Sequence, residues 1–212
     1  MTTALLQTTY FGPVQWYQKL NRYDHCVIEQ HDTYQKQTYK NRCVIATANG
    51  LQALTVPVEV SSNREEVKDV RISDHNNWRK VHWHALQSAY SESPFFDYYV
   101  DDIRPFFEKK YAFLIDFNEA IRQTICELVD IHPSVEYSSR FQVSSNSETT
   151  SSVTGSRFQD FRGVIRAKHP QEDAEFEARP YWQVFQHRYG FQPNLSILDL
   201  LFCMGPESVF YL

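Results

Sequence analysis

The tightest local constraint in this 212-residue chain is a pair of apolar runs around an Asn-Gly step. Cys43-Val44-Ile45-Ala46-Thr47 and Leu51-Gln52-Ala53-Leu54-Thr55-Val56 flank Ala48-Asn49-Gly50. β-Branched and apolar side chains favour extended backbone, and Asn-Gly supplies the positive-φ pair of a type I′ turn. The spacing therefore predicts a β-hairpin, with Pro57 at the strand end where a missing N–H costs least. Asp69-Val70-Arg71-Ile72 is expected to add a short strand to the same sheet.

Around this hairpin the periodicity changes in blocks. Residues 4–11 and 26–29 read as strands, separated by a helix over 13–23 that Pro13 opens. From Ser73 or Asp74 as cap, Trp78, Val81, His82, Ala85, Leu86, Ala89 and Tyr90 recur at helical spacing. An aromatic-rich helix follows from Phe95 to about Pro105, and a third is marked by Leu114, Phe117, Ile121, Ile125 and Leu128. A last helix runs from Leu195 to Met204, capped by Asn194 or Ser196 and stopped at Gly205-Pro206. Strands first, helices in the middle and a mixed tail predict an α+β (mixed α/β) fold rather than a regular βαβ winding. It is expected as one domain over 1–212, a small mixed sheet with the N-terminal hairpin flanked by the helical middle and the C-terminal helix. Residues 144–156 hold six Ser, three Thr and one large apolar residue, and read as an exposed loop or a lid over a ligand.

Composition removes several function classes. Six scattered glycines form neither GxGxxG nor GxxxxGK[ST], so no standard phosphate-cradling loop is present and no cofactor is expected. A net charge of −5 lacks the basic footprint of a nucleic-acid binder. No run reaches the roughly 18 apolar residues of a membrane span, and residues 1–20 do not read as a signal peptide. Cys26, Cys43, Cys126 and Cys203 form no CxxC pair, which points to reduced, buried thiols and a cytoplasmic setting. His82 and His84 are two apart on one helix, HExxH is absent, and no metal site is predicted.

The residues with chemical potential are few. His82 shares the apolar side of its helix with Trp78, Ala85 and Ala89, and is either a satisfied core histidine or a general base facing a cleft. Lys36, Lys40 and Arg42, with Asp32 their nearest acid, are either a solvated face or a small anion site. Asn41 and Arg42 stand where a polar connection enters a buried strand, a setting in which guanidinium can hold a carboxylate or phosphate.

Five segments in order then resemble the WbqC-like family. Gln7-Thr8-Thr9-Tyr10-Phe11-Gly12-Pro13 resembles its Q-P-x-Y-F-P opening, and Tyr34-x-Lys36-x-x-Tyr39-x-Asn41-Arg42 its Y-x-K-x-x-W-x-N-R segment. Leu54-Thr55-Val56-Pro57-Val58 is similar to its L-T-V-P-V strand. Trp78, His82 and Tyr90 with Phe95-Phe96-x-x-Tyr99 resemble its helical middle, and Leu195 to Phe202 with Gly205-Pro206-Glu207 its C-terminal signature. The sequence departs from the family where Gln30-His31 replaces an acidic pair. The resemblance implies an acyl or aminoacyl (glycine-type) transferase that forms an amide on an amino sugar in surface-polysaccharide, O-antigen-like biosynthesis. Its partners would be a small-molecule sugar and an acyl donor activated elsewhere, an aminoacyl-tRNA or a thioester. It places Gln7, Tyr34, Lys36, Tyr39, Asn41 and Arg42 in substrate binding, with Arg42 on an anionic donor and Asn41 and Tyr39 orienting a carbonyl. Tyr10 joins the catalytic set, and His82 or Asp199 takes a proton from the attacking amine. On the residues alone Asp199 reads as a helix-start acid. The alternative is a non-enzymatic carbohydrate or nucleotide-sugar binding protein, or a scaffold for glycan enzymes.

Overall fold

Ala4-Leu5-Leu6-Gln7 is buried at four successive positions, so both faces of this segment are covered. Such continuous burial belongs to a parallel sheet. The computed structural model, which describes residues 1–62, 64–143 and 157–212, places the segment in β1 (Thr2–Gln7). That strand lies inside a four-stranded sheet with β2 (His25–Glu29), β7 (Val135–Tyr137) and β8 (Arg157–Asp160). The order is β7-β2-β1-β8 and every pairing is parallel. Leu5 stands opposite Val27 on one side and Asp160 on the other. Between β1 and β2 runs α1 (Val14–Arg22), entered at Pro13. One βαβ unit is therefore present where the block order pointed away from such winding.

The hairpin forms as β3 (Arg42–Thr47) and β4 (Gly50–Thr55), paired from Arg42↔Thr55 to Thr47↔Gly50. Its turn corrects the type I′ expectation. Gly50 alone among the turn residues has positive φ (102°), so the glycine sits as a bulge after the turn and Asn49 keeps ordinary backbone. The segment expected to join this ladder pairs elsewhere. β6 (Arg71–Ile72) runs antiparallel to β5 (Val58–Glu59) in a separate two-stranded sheet. The class is α+β, with parallel and antiparallel strands in the same chain.

The helical middle is α2 (Trp78–Tyr90), α3 (Phe96–Ile103), α4 (Pro105–Glu108) and α5 (Leu114–Leu128). Neither Ser73 nor Asp74 caps α2. A 3-10 turn, His75–Asn77, intervenes with Asn76 and Asn77 in left-handed conformations. Pro105 occupies the first position of α4, where its fixed φ suits a helix start. The short α6 (Gln186–Tyr189) precedes α7 (Ile197–Met204), whose residues from Ile197 to Cys203 are all buried, so it is apolar nearly all round. Ser196 accepts the Leu198 N–H and donates to the Phe11 carbonyl at 2.8 Å, tying the cap to the loop after β1. All four cysteines are unpaired and buried. The Ser/Thr-rich segment 144–156 lies outside the described residues.

Gly205 ends α7 at φ 55°, and a Cβ there would meet the Phe95 ring at 2.5 Å. Left-handed strain and overpacking combine in Gly205→Ala, which is expected to cost about 2 kcal/mol, read as a lower urea midpoint at unchanged slope.

Candidate active site

In open parallel sheets ligands bind beyond the carboxyl ends of the strands, where the strand order reverses. Here β1 is followed by β2 on one side and flanked by β8 on the other, so the reversal lies at β1. The strand ends carry charge. Glu29, the last residue of β2, is wholly buried. Its carboxylate accepts from Ser138 Oγ at 2.6 Å, the Gln142 N–H at 2.7 Å and the His31 N–H at 2.8 Å, with the Arg162 guanidinium at 3.4 Å. Arg162 forks onto Asp160 at the end of β8, with Nε at 3.0 Å and Nη2 at 2.7 Å, and also donates to the Gln142 carbonyl. Burial disfavours the Arg162 charge, but Asp160, Glu29 and Asp32 outweigh it and hold its pKa above the ordinary value. Lys40, 1% exposed, donates to Asp32 at 2.6 Å. Burial lowers its pKa against the opposing pull of Asp32. Three carboxylates and two cations thus meet at one sheet edge.

A second cluster adjoins it at the base of the hairpin. Tyr10 Oη and His82 Nδ1 are 2.9 Å apart and both residues are buried. Burial pushes His82 down to about 4, with a smaller upward pull from a backbone hydrogen bond to Thr55. The imidazole is therefore neutral near pH 7 and accepts from Tyr10. Thr55 also receives the Arg42 Nε at 3.0 Å through its hydroxyl, and Asn41 is clamped to Val56 by bonds of 2.7 and 2.8 Å. Tyr10 donates its backbone N–H to the Tyr39 carbonyl, and the Asn118 amide reaches the Lys40 carbonyl at 2.8 Å. The Oδ1 atoms of Asn41 and Asn118 are buried without a hydrogen-bond partner among the described residues.

The residues singled out in the sequence are thus distributed as follows. Tyr10, Tyr39, Asn41, Arg42 and His82 come together around Thr55 and Val56. Tyr34 is buried near Arg42, whose charge opposes the burial that raises the phenol pKa. Gln7, at the end of β1, donates to the Ile165 carbonyl at 2.6 Å. Lys36 is exposed. Asp199 stands apart, receiving Tyr90 at 2.9 Å, Tyr181 at 2.7 Å and Gln183 at 2.8 Å. Burial raises its pKa although all three donors favour the ionised form. The sequence reasoning missed Glu29, Ser138, Asp160 and Arg162. Their signal is the sheet edge, which only strand pairing creates. Among the described residues no group of three or more His, Cys, Asp or Glu is placed to hold a metal ion, and no described helix is long and apolar enough to cross a membrane.

No solved structure matches the chain. It is 26% identical over 228 aligned positions to the uncharacterized protein Rv1507c of Mycobacterium tuberculosis, the match covering 99% of this chain and 96% of that protein. The WbqC-like family model matches residues 7–211, nearly the full length, and the chain belongs to the WbqC-like protein family.

Proposed function

We propose that the protein is an acyl or aminoacyl transferase that forms an amide on the amine of an amino sugar in surface-polysaccharide biosynthesis. The observation that carries this reading is the gathering of Glu29, Asp32, Lys40, Asp160 and Arg162 at the reversal of strand order. The family resemblance supplies the substrate class. Asp32 and Asp160, partly exposed, receive the sugar ammonium, and one of them takes its proton. The free amine attacks the carbonyl of an externally activated acyl group. The C–N bond forms, the C–O or C–S bond of the donor breaks, the attacking nitrogen's second proton leaves with the released alcohol or thiol, and the ammonium proton taken by the carboxylate passes to solvent. Arg42 and Lys36 hold the anionic part of the donor. Whereas Lys40 and Arg162 are held by acids, Arg42 bonds a hydroxyl and no acid among the described residues, so its charge is open to a ligand there. Tyr10 and His82 act as positioning residues, because they fix the Thr55 backbone from which Arg42 is aimed. Asp199 lies outside this centre.

The test combines thermal-shift measurements on nucleotide-linked amino sugars with mass spectrometry of incubations containing an aminoacyl-tRNA or an acyl thioester. Amide product is expected with the intact chain. Arg42→Ala is expected to abolish the ligand-induced shift while moving the unliganded Tm by no more than about 2 °C. An unchanged shift removes Arg42 from the site. Absence of amide with every donor, beside retained sugar binding, leaves a binding protein instead.

A further inference from the structure

Beside the first turns of α2 lies a cleft of about 460 Å³ whose lining shares no residue with the candidate active site. Arg79, Lys80, Arg104 and Lys110 line it, against the carboxylates Asp74 and Glu108. The cleft therefore carries an excess of two positive charges in a chain whose net charge is −5. Such a reversal of local sign concentrates anions from solution. Two aromatic residues, Trp83 and Phe107, are also part of its lining, with ring centroids 5.6 Å apart.

The cations differ in how firmly they are held. Arg79 is mostly covered, its guanidinium 4.5 Å over the Trp78 ring and bonded to Asp74 at 2.5 Å. Asp74 is shared, since Lys110 also reaches it at 2.6 Å. Arg104 pairs with Glu108 at 2.6 Å, but both side chains are 57% exposed. An exposed pair of that kind is weak and yields readily to a stronger anion. A phosphate offers Arg104 two oxygens in the bidentate geometry that guanidinium favours, and Lys80, exposed on the adjoining turn, adds a point charge. Inorganic phosphate alone would leave most of the volume and the aromatic part of the lining without a contact. Pockets of this size hold ligands of drug or nucleotide dimensions, and aromatic lining offers apolar contact to a ring.

We infer that this cleft binds an organic phosphate, the phosphate held by Arg104 and Lys80 and its ring packed beside Trp83 and Phe107. The inference stands on the cleft itself and does not depend on the transferase reading. The ring belongs to a sugar or to a nucleoside, which share the phosphate and a ring beside it.

The test is calorimetric titration of the full chain with inorganic phosphate, a hexose phosphate, uridine diphosphate, and the unphosphorylated hexose and uridine. At least one phosphorylated ring compound should bind, and the stronger of the two identifies the source. The matching unphosphorylated compound and inorganic phosphate should each bind at least about tenfold more weakly. Lys80→Gln combined with Arg104→Gln, both exposed, should weaken binding about tenfold or more with Tm unchanged, and added salt should weaken it in the parent protein. Trp83→Phe should reduce affinity for the ring compound without changing that for inorganic phosphate. The inference is overturned if neither phosphorylated compound binds, if the double variant binds as the parent does, or if inorganic phosphate binds as tightly as the ring compounds. Arg42→Ala should leave this binding intact, which separates its failure from failure of the transferase reading.

Discussion

Glu29→Ala is expected to destabilise the protein by about 3–5 kcal/mol, the largest effect of any single side chain at the sheet edge. The carboxylate is fully buried and is the common acceptor for Ser138 Oγ, the backbone N–H groups of His31 and Gln142, and the Arg162 guanidinium. Truncation leaves these donors without their acceptor and removes the second carboxylate that offsets the Arg162 charge. Each stranded donor costs about 1–3 kcal/mol, although local relaxation makes the sum less than additive. Against a typical total of 5–15 kcal/mol, that is a large fraction of the fold. Glu29→Gln separates charge from shape. Its amide keeps one acceptor oxygen but turns an NH2 towards groups that themselves donate, so a loss of about 1–3 kcal/mol is expected. Urea denaturation at pH 7 on the three proteins checks both values. A Glu29→Ala variant within 1 kcal/mol of the parent would show that the cluster relaxes without its central acceptor.

Why this carboxylate escapes a reading of the sequence, while other features do not, follows from the range over which each is determined. The caps of α7 are local. Ser196 is one residue before the helix and Gly205 one after, and both are legible from composition and spacing. The hairpin is legible for the same reason, but its turn subtype is not. Type I′ and a turn closed by a glycine bulge both accept Asn-Gly, and the choice lies in the φ of Asn49. β8 is a different matter. Arg157-Phe158-Gln159-Asp160 has no apolar run and is a strand because it pairs with β1, more than 150 positions away. Without β8 there is no reversal of strand order, and Glu29 reads as the polar end of a short strand. The half-buried cluster shows the same division. Asp32 and Lys40 are recognisable as neighbours in the chain, and they do pair, but nothing local reports that Lys40 is almost wholly enclosed. His82 sits between the two cases. Helical spacing puts it on the apolar side of α2, while its partner Tyr10 comes from the loop after β1.

That partnership makes His82 an acid-sensitive joint. In the unfolded chain its imidazole titrates near 6.5, whereas burial in the native protein lowers it to about 4. Between those values the unfolded chain binds a proton that the native state excludes. Stability contributed by the neutral ring is therefore fully present above about 6.5 and is lost as pH falls towards 4. At about 1.4 kcal/mol per pH unit between the two values, the loss approaches ~3 kcal/mol. Protonation also reverses the hydrogen bond, because Nδ1 can no longer accept from Tyr10 Oη. Unfolding free energy measured from pH 7.5 to 4 should fall by that amount beyond the slope of His82→Gln, which lacks the titrating ring. Equal slopes in the two proteins would mean that His82 takes up its proton alike in the folded and unfolded chain. The same joint should affect the ligand site. Arg42 is aimed through Thr55, whose backbone is bonded to His82, so ligand affinity in the parent should hold down to about pH 5 and weaken only as pH approaches 4, where the native imidazole takes up its proton. Affinity in His82→Gln, which cannot gain that proton, should begin lower at neutral pH and vary less with acid. That contrast distinguishes a positioning residue from one that only packs.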